Sequence, residues 1–163
     1  MGVAAAFRNN IVMPSGARVR LGKSGVITVE TDMTDIGTGS YTIIAQTAAE
    51  MLGVPVGQVE VRLGDSDFPV SAGSGGQFGA NSATAGVYAA CVKLREAVSG
   101  KLGLNATDVV FQDGQVLSGD RRIALEQAAA DGELVGEDTI EFGKLAETHQ
   151  QSTFGAHFVE VGV

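Results

Sequence analysis

Asp32-Met33-Thr34-Asp35-Ile36-Gly37-Thr38-Gly39-Ser40 and Ser71-Ala72-Gly73-Ser74-Gly75-Gly76-Gln77-Phe78-Gly79 are the stretches that decide the fold. Each glycine-rich run lies between a segment of alternating apolar and polar residues and a segment with apolar residues at helical spacing. Ahead of the first, Val26-Ile27-Thr28-Val29-Glu30-Thr31 alternates as a strand. Arg18-Val19-Arg20-Leu21 and the turn residues Lys23-Ser24-Gly25 make it the second arm of a hairpin. Behind it, Ile43/Ile44, Ala48 and Met51/Leu52 mark one face of a helix over about 41–52. Ser40 is the expected N-cap of that helix and Gly53 its stop.

The same order then repeats. Gln58-Val59-Glu60-Val61-Arg62-Leu63 alternates as a strand and runs into the turn residues Gly64-Asp65-Ser66-Asp67-Phe68-Pro69. After the second glycine run, a long helix is expected from Asn81 or Ser82 to near Gly103, with a core stripe of Val87, Cys91, Leu94, Val98 and Leu102. Strand, glycine loop and helix, twice over, define a module of about residues 17–103 within a single domain, 1–163. The fold class is α+β with a mixed sheet.

The remaining third says less. Val109-Val110-Phe111 and Gln115-Val116-Leu117 flank Asp113-Gly114 as a second hairpin. A short helix is expected over 125–130 and a strand over 153–163. Phe158-Val159-Glu160-Val161 needs a pairing partner, and neither end has the polar composition of a tail, so the sequence reads as an internal piece of a longer protein. Exposed apolar strand edges at both ends are expected to favour self-association.

Composition removes several function classes. The chain has 163 residues, 44% hydrophobic and 18% charged, enough for one buried core. Net charge is −8 with scattered basic residues, which argues against nucleic acid. No apolar run is long enough to span a bilayer. Met1-Gly2-Val3-Ala4-Ala5-Ala6-Phe7-Arg8 has no charged leader and reads as a strand, not as a signal peptide. Cys91 is single, and His149 and His157 are isolated, so a metal is expected to arrive inside a cofactor. The 23 glycines are about twice the usual share of ~7%.

A glycine-rich loop that enters a helix N-terminus offers free backbone N–H groups and the positive end of the helix dipole to an anion. Two such loops suit the two ends of an extended phosphorylated cofactor, with Thr38, Ser40, Gln77 and Asn81 adding side-chain hydrogen bonds. Taken alone, the first loop equally suits an ordinary strand-to-helix turn. The second is long and nearly free of large side chains until Phe78, as befits a pocket wall. Cys91 on the apolar stripe reads as a core thiol, Asp65 and Asp67 as a solvated turn, and His157 as a satisfied structural histidine. Lys93, Arg95, Glu96 and Lys101 are assigned to the outer helix face. These residues give a cofactor-binding module without a catalytic group. A non-catalytic binding module for a phosphorylated cofactor, or an assembly domain whose loops are turns, remain open beside it.

Asp35-Ile36-Gly37-Thr38-Gly39-Ser40-Tyr41-Thr42, Ile44-Ala45-Gln46-Thr47-Ala48-Ala49-Glu50-Met51-Leu52-Gly53, Val59-Glu60-Val61-Arg62-Leu63-Gly64-Asp65-Ser66-Asp67, the second glycine loop, Val87-Tyr88-Ala89-Ala90-Cys91 and Thr153-Phe154-Gly155-Ala156-His157-Phe158-Val159-Glu160-Val161 together resemble the molybdenum-binding large subunits of the aldehyde oxidase/xanthine dehydrogenase family. The resemblance covers nearly the whole chain, in order, and is greatest to bacterial aldehyde oxidoreductases. It implies a fragment of the C-terminal molybdopterin-binding region, with Ile36, Gly37, Thr38, Gly39, Gly75, Gly76, Gln77, Phe78, Gly79, Ala80 and Asn81 on molybdopterin cytosine dinucleotide and its molybdenum. Many members have Gln where Thr38 stands. The implied reaction is oxidation of aldehydes, or hydroxylation of N-heterocycles and purines, with oxygen from water. The implied partners are the remainder of the large subunit and subunits carrying FAD and 2Fe-2S clusters, in bacterial cytoplasm or periplasm. The family's C-terminal Gly-Glu motif, whose glutamate acts as base, has no counterpart here, and neither does the Gly-Gly-x-Phe-Gly loop of the other half. The chain alone is therefore expected to be inactive.

Overall fold

The computed structural model describes residues 1–162; Val163, the last residue of the expected C-terminal strand, lies outside them. In chain order the strands are β1 (Gly2–Asn9), β2 (Ser15–Leu21), β3 (Ile27–Thr31), β4 (Val59–Leu63), β5 (Val110–Gln112), β6 (Gln115–Ser118), β7 (Arg121–Ala124), β8 (Leu134–Ile140) and β9 (Ser152–Val159). Helix α1 (Ser40–Leu52) joins β3 to β4, and α2 (Gly79–Lys101) follows β4.

The central sheet has the order β4-β3-β2-β8. β2 is antiparallel to β3 and to β8, and β3 is parallel to β4, so the sheet is mixed as expected. Period-two alternation sends Ala17, Val19 and Leu21 of β2 and Ile27 and Val29 of β3 inward, where all five are fully buried. The two helices lie side by side over that face, α2 on β2 and β8 and α1 on β3 and β4. Ile44, Ala48 and Leu52 of α1 and Val87, Cys91, Leu94 and Val98 of α2 close the core, and each is 0% exposed. Full burial of a large aliphatic side chain contributes about 1.5–3 kcal/mol, so these residues dominate stability. The opposite face is charged. Glu30 takes Arg20 Nε at 3.0 Å and Arg18 Nη1 at 3.3 Å, and those arginines reach Glu133 and Glu137.

β5, β6 and β7 form a small antiparallel sheet. Asp113 and Gly114 have φ of 53° and 71°, the left-handed pair that a two-residue hairpin turn requires. β1 and β9 pair along eight residues as a separate two-stranded ribbon. The expected C-terminal strand thus finds its partner in the N-terminal one.

Several expectations are corrected. The residues over 125–130 form a tight 3-10 turn, Leu125–Ala129, not an α-helix. Helix α2 begins two residues earlier than expected, at Gly79, and Leu102 lies just beyond its last turn. β7 and β8 were not foreseen. β8 breaks its apolar pattern with Gly136, Glu137 and Asp138, and the glycine has a packing cause. A Cβ built on Gly136 would sit 2.3 Å from Leu94 N and 2.4 Å from Ala90 O, so the α2 backbone rests directly on β8.

That contact has a measurable consequence. Gly136→Ala is expected to lower stability by about 1–3 kcal/mol through overpacking, read as a fall in the urea midpoint with unchanged m-value. Gly57→Ala, at a position with open space around it, is expected to stay within about 0.5 kcal/mol of the wild type. Equal midpoints for the two variants contradict the close approach.

Candidate cofactor-binding site

Parallel pairing of β3 with β4 puts Thr31 opposite Leu63, so both strands deliver their chains to the same end of the sheet. Each chain then makes a glycine loop and enters a helix. Ligands of open α/β arrangements gather at carboxyl ends of parallel strands for this reason. The second loop is laced to the first. Asp32 N–H donates to Pro69 O at 3.0 Å, and Ser71 N–H donates to Asp32 Oδ1 at 2.5 Å. The Ser74 hydroxyl donates to the Thr34 carbonyl. Gly16 N–H donates to Val70 O at 2.6 Å, tying the same segment to β2.

Between the loops lies a cleft of about 450 Å³. Ile36 and Thr38 line it from the first loop, and Gly75, Gly76, Gln77, Gly79, Ala80 and Asn81 from the second loop and the start of α2. Gly37, Gly39 and Phe78, also expected at the site, are not among its lining residues. Phe78 folds back on its own loop, where Cβ atoms built on Gly75 and Gly76 would meet its ring at 3.2 and 3.1 Å. Gly79 is tightly enclosed: a Cβ there would lie 2.8 Å from Gly73 O and 3.3 Å from Met33 Cε. Asn10, Met33, Ser74 and Thr153 complete the lining and were not foreseen. Asn10 directly follows β1 and Thr153 lies in β9, and only the pairing of the two ends of the chain brings them here; no local pattern announces them.

The two loops differ in what they leave free. In the first, the Asp35 carboxylate accepts Gly37 N–H at 2.8 Å and Thr38 N–H at 3.1 Å. Its pKa is lowered below the ordinary aspartate value, chiefly by the Gly37 N–H, with Thr38, Tyr41 and Ser40 adding to it. Asp35 therefore takes up the Gly37 and Thr38 amides of the first loop, while no side chain caps the first turn of α1 itself. Ser40 is not the N-cap either. Gly39, at φ 81°, holds that position, and the buried Ser40 Oγ has no hydrogen-bond partner among the described residues. The stop at Gly53 is as expected, in the left-handed conformation with φ 63°.

No side chain caps the first turn of α2 either, and neither helix carries an acidic residue in its first turn. Gln77 is held at φ 72°, a left-handed conformation that costs a non-glycine residue about 1 kcal/mol and that recurs at functional loops. Its side-chain amide donates to Thr153 Oγ1 at 3.1 Å, and that of Asn81 donates to Asn10 O at 3.3 Å. These amides, expected to serve a ligand, also tie the second loop and the start of α2 to the strand ends of the ribbon.

Cys91 is fully buried, and desolvation pushes its thiol up to about 12, as a core residue and not a nucleophile. Asp65 and Asp67 form an exposed turn in which Asp67 N–H donates to Asp65 Oδ1. His157 is exposed on β9, without a side-chain hydrogen bond among the described residues, so its reading as a satisfied structural histidine is corrected. Arg95 does not belong to the outer face: it lies 4.5 Å over the Phe111 ring and donates to Met51 O. A larger cleft of about 950 Å³ lies between the end of α1 and the β5–β6 turn. It touches neither loop and presents Glu50 and Asp113, a poor setting for an anion. Among the described residues no group of three or more His, Cys, Asp or Glu side chains is placed to hold a metal ion, and no helix is long and apolar enough to cross a membrane.

The Asp35 hydrogen bonds set a pH dependence. Its folded-state pKa lies below the unfolded one, so its contribution is fully present above the unfolded value of about 4 and is lost as pH falls through the lower folded-state value. The melting temperature of the wild type is expected to exceed that of Asp35→Ala at pH 7, with the gap closing below pH 4. A gap that stays constant down to pH 2.5 contradicts a role for these bonds.

All 163 residues match the molybdopterin cofactor-binding domain family. The chain is 63% identical over 162 residues to the aldehyde oxidoreductase molybdenum-binding subunit PaoC of Escherichia coli K12, a match covering 99% of this chain and 22% of that protein. The chain thus spans about a fifth of the length of this relative. Quinoline 2-oxidoreductase from Pseudomonas putida 86 shares the fold over 95% of this chain and 24% of its own, with a TM-score of 0.71 at 19% identity. Reconstituted CO dehydrogenase from Oligotropha carboxidovorans does so over 95% of this chain and 23% of its own, with a TM-score of 0.72 at 16% identity. With the family matched end to end and the first relative matched along nearly the whole chain, the protein belongs to the molybdopterin cofactor-binding domains of the aldehyde oxidoreductase and xanthine dehydrogenase family.

Proposed function

We propose that the cleft between the two glycine loops is one wall of the pocket for molybdopterin cytosine dinucleotide in a molybdenum-dependent, aldehyde-oxidising hydroxylase. The observation that carries this is the convergence of Ile36 and Thr38 with Gly75, Gly76, Gln77, Gly79, Ala80 and Asn81 on one cleft. The residues fit the group. Small side chains line the second loop, so an extended ligand can approach the backbone. The uncapped first turn of α2 offers N–H groups and a positive dipole end to a phosphate. The first loop, whose Gly37 and Thr38 amides are taken by the Asp35 carboxylate, suits the uncharged parts of the ligand instead.

In this reading Thr38 and Ile36 bear on one side of the cofactor and Gly75 to Asn81 on the other. Phe78 stiffens the second loop from behind by packing on Gly75 and Gly76, and Met33 forms the floor. When bound, the molybdenum centre supplies two-electron oxidation of a substrate carbon with oxygen drawn from water. This chain's residues hold and orient the group and exclude water from its flank. They provide no base, because the family's Gly-Glu motif has no counterpart in the sequence. Substrate turnover, FAD and 2Fe-2S partner subunits, and a place for the whole 1–163 segment as one domain of a larger subunit complete the proposal.

Ala80 is exposed on the cleft and in the first turn of α2, which makes it a clean probe. The purified chain is expected to bind isolated molybdopterin cytosine dinucleotide weakly and saturably. Ala80→Glu should weaken that binding at least about tenfold, ~1.4 kcal/mol, with an unchanged melting temperature. Unchanged affinity in Ala80→Glu, or no saturable binding by the wild type, refutes the site.

A further inference from the structure

The β1–β9 ribbon has two unlike faces. In its antiparallel register Val3 pairs with Phe158, Ala5 with Ala156 and Phe7 with Phe154. Paired residues share a face, as do residues two apart along a strand. One face therefore carries Val3, Ala5, Phe7, Phe154, Ala156 and Phe158, with Asn9 and Ser152 at its far end, while Arg8, Thr153 and His157 lie on the other among Ala4, Ala6 and Val159. The face bearing Thr153 turns toward the cofactor cleft, where Gln77 donates to Thr153. The apolar face meets nothing: Val3, Phe7, Phe154 and Phe158 are 63%, 68%, 79% and 74% exposed.

Three phenylalanines exposed to that degree place roughly 450 Å² of aromatic surface in water. Patches of this size mark interaction surfaces, and a two-stranded ribbon without a packed face is marginally stable at best. The face also has a shape. The Val3–Phe158 and Phe7–Phe154 pairs form two ridges, and Ala5–Ala156 forms a trough between them.

The register also bears on what covers it. Gly2 pairs with Val159, so both ends of the ribbon strands leave at a single tip. In the Escherichia coli relative the matched segment is 22% of the polypeptide. A polypeptide continuing from either ribbon strand would leave at this tip, beside the Val3–Phe158 ridge. A polypeptide tethered there is present at an effective concentration of order mM, which favours it over any free partner.

We infer that the apolar face is a docking surface within one subunit: it takes an apolar surface of the remaining polypeptide of a full-length molybdenum-binding subunit, with a bulky aliphatic or aromatic side chain seated in the Ala5–Ala156 trough. The inference rests on the proposal above for the existence of that larger subunit. Its functional consequence is local. Docking from behind presses the ribbon's other face onto Gln77 and fixes the second cofactor loop.

Hydrogen–deuterium exchange of the ribbon amides tests this. It is measured in the 163-residue chain and in the full-length Escherichia coli subunit carrying this chain in place of its matched segment. The unmodified Escherichia coli subunit is the second measurement should the exchanged one fail to fold. Residues 4–8 and 154–158 are expected to exchange at least about 100-fold more slowly in the full-length protein than in the isolated chain, and Phe154→Ser is expected to restore fast exchange. Fast exchange in both settings overturns the inference. So does protection in the isolated chain that grows with concentration alongside a dimer in sedimentation, because a second copy is then the occupant. Molybdenum content, read on the same full-length samples, keeps the two proposals apart. Fast ribbon exchange with molybdenum retained overturns the docking alone, and a protected ribbon without molybdenum supports the docking while sinking the cofactor reading.

Discussion

The parallel pairing of β3 with β4 is the constraint on which the rest of the structure depends. Parallel neighbours need a crossover, and α1 supplies it. Because Thr31 and Leu63 are paired, the two loops that follow start side by side and cannot be parted without breaking the sheet. The hydrogen bonds donated by Ser71 N–H to the Asp32 carboxylate and by the Ser74 hydroxyl to the Thr34 carbonyl then hold the loops together. The cleft is a product of this topology more than of any single residue.

Packing makes the arrangement rigid from beneath. Gly136 lets the α2 backbone rest on β8, and Gly79 lets the first turn of α2 sit against Gly73 and Met33. The start of α2 is thereby fixed to the sheet that also fixes α1. Electrostatics then distinguishes two similar loops. Asp35 binds the Gly37 and Thr38 amides of the first loop, and both helices begin without a side-chain cap. The negative charge of Asp35 sits in the first loop, a polarity suited to a ligand with one anionic and one neutral end.

The sequence makes legible those parts whose cause is local. The hairpin of β2 and β3, both helices, β4 and the Asp-Gly turn follow from periodicity and turn chemistry, and the mixed α+β class follows from their order. β8 is hidden because Gly136, chosen for helix contact, breaks the alternation that marks a strand. The role of Asp35 is not legible in the sequence, because only the folded loop brings the Gly37 and Thr38 amides onto its carboxylate. Asn10 and Thr153 escape entirely because ribbon pairing alone brings the two ends of the chain to the cleft. Arg95 likewise follows its helix spacing to the surface in the sequence, yet the hairpin bearing Phe111 folds beneath its guanidinium.

The central claim is that two loops far apart in sequence serve one ligand. Amide NMR of the chain titrated with molybdopterin cytosine dinucleotide tests it most directly. The account predicts that resonances of residues 36–39 and 75–81 shift together along a single binding curve, with the largest changes in the first turn of α2. Shifts confined to one loop, or centred on the cleft between the end of α1 and the β5–β6 turn, contradict it.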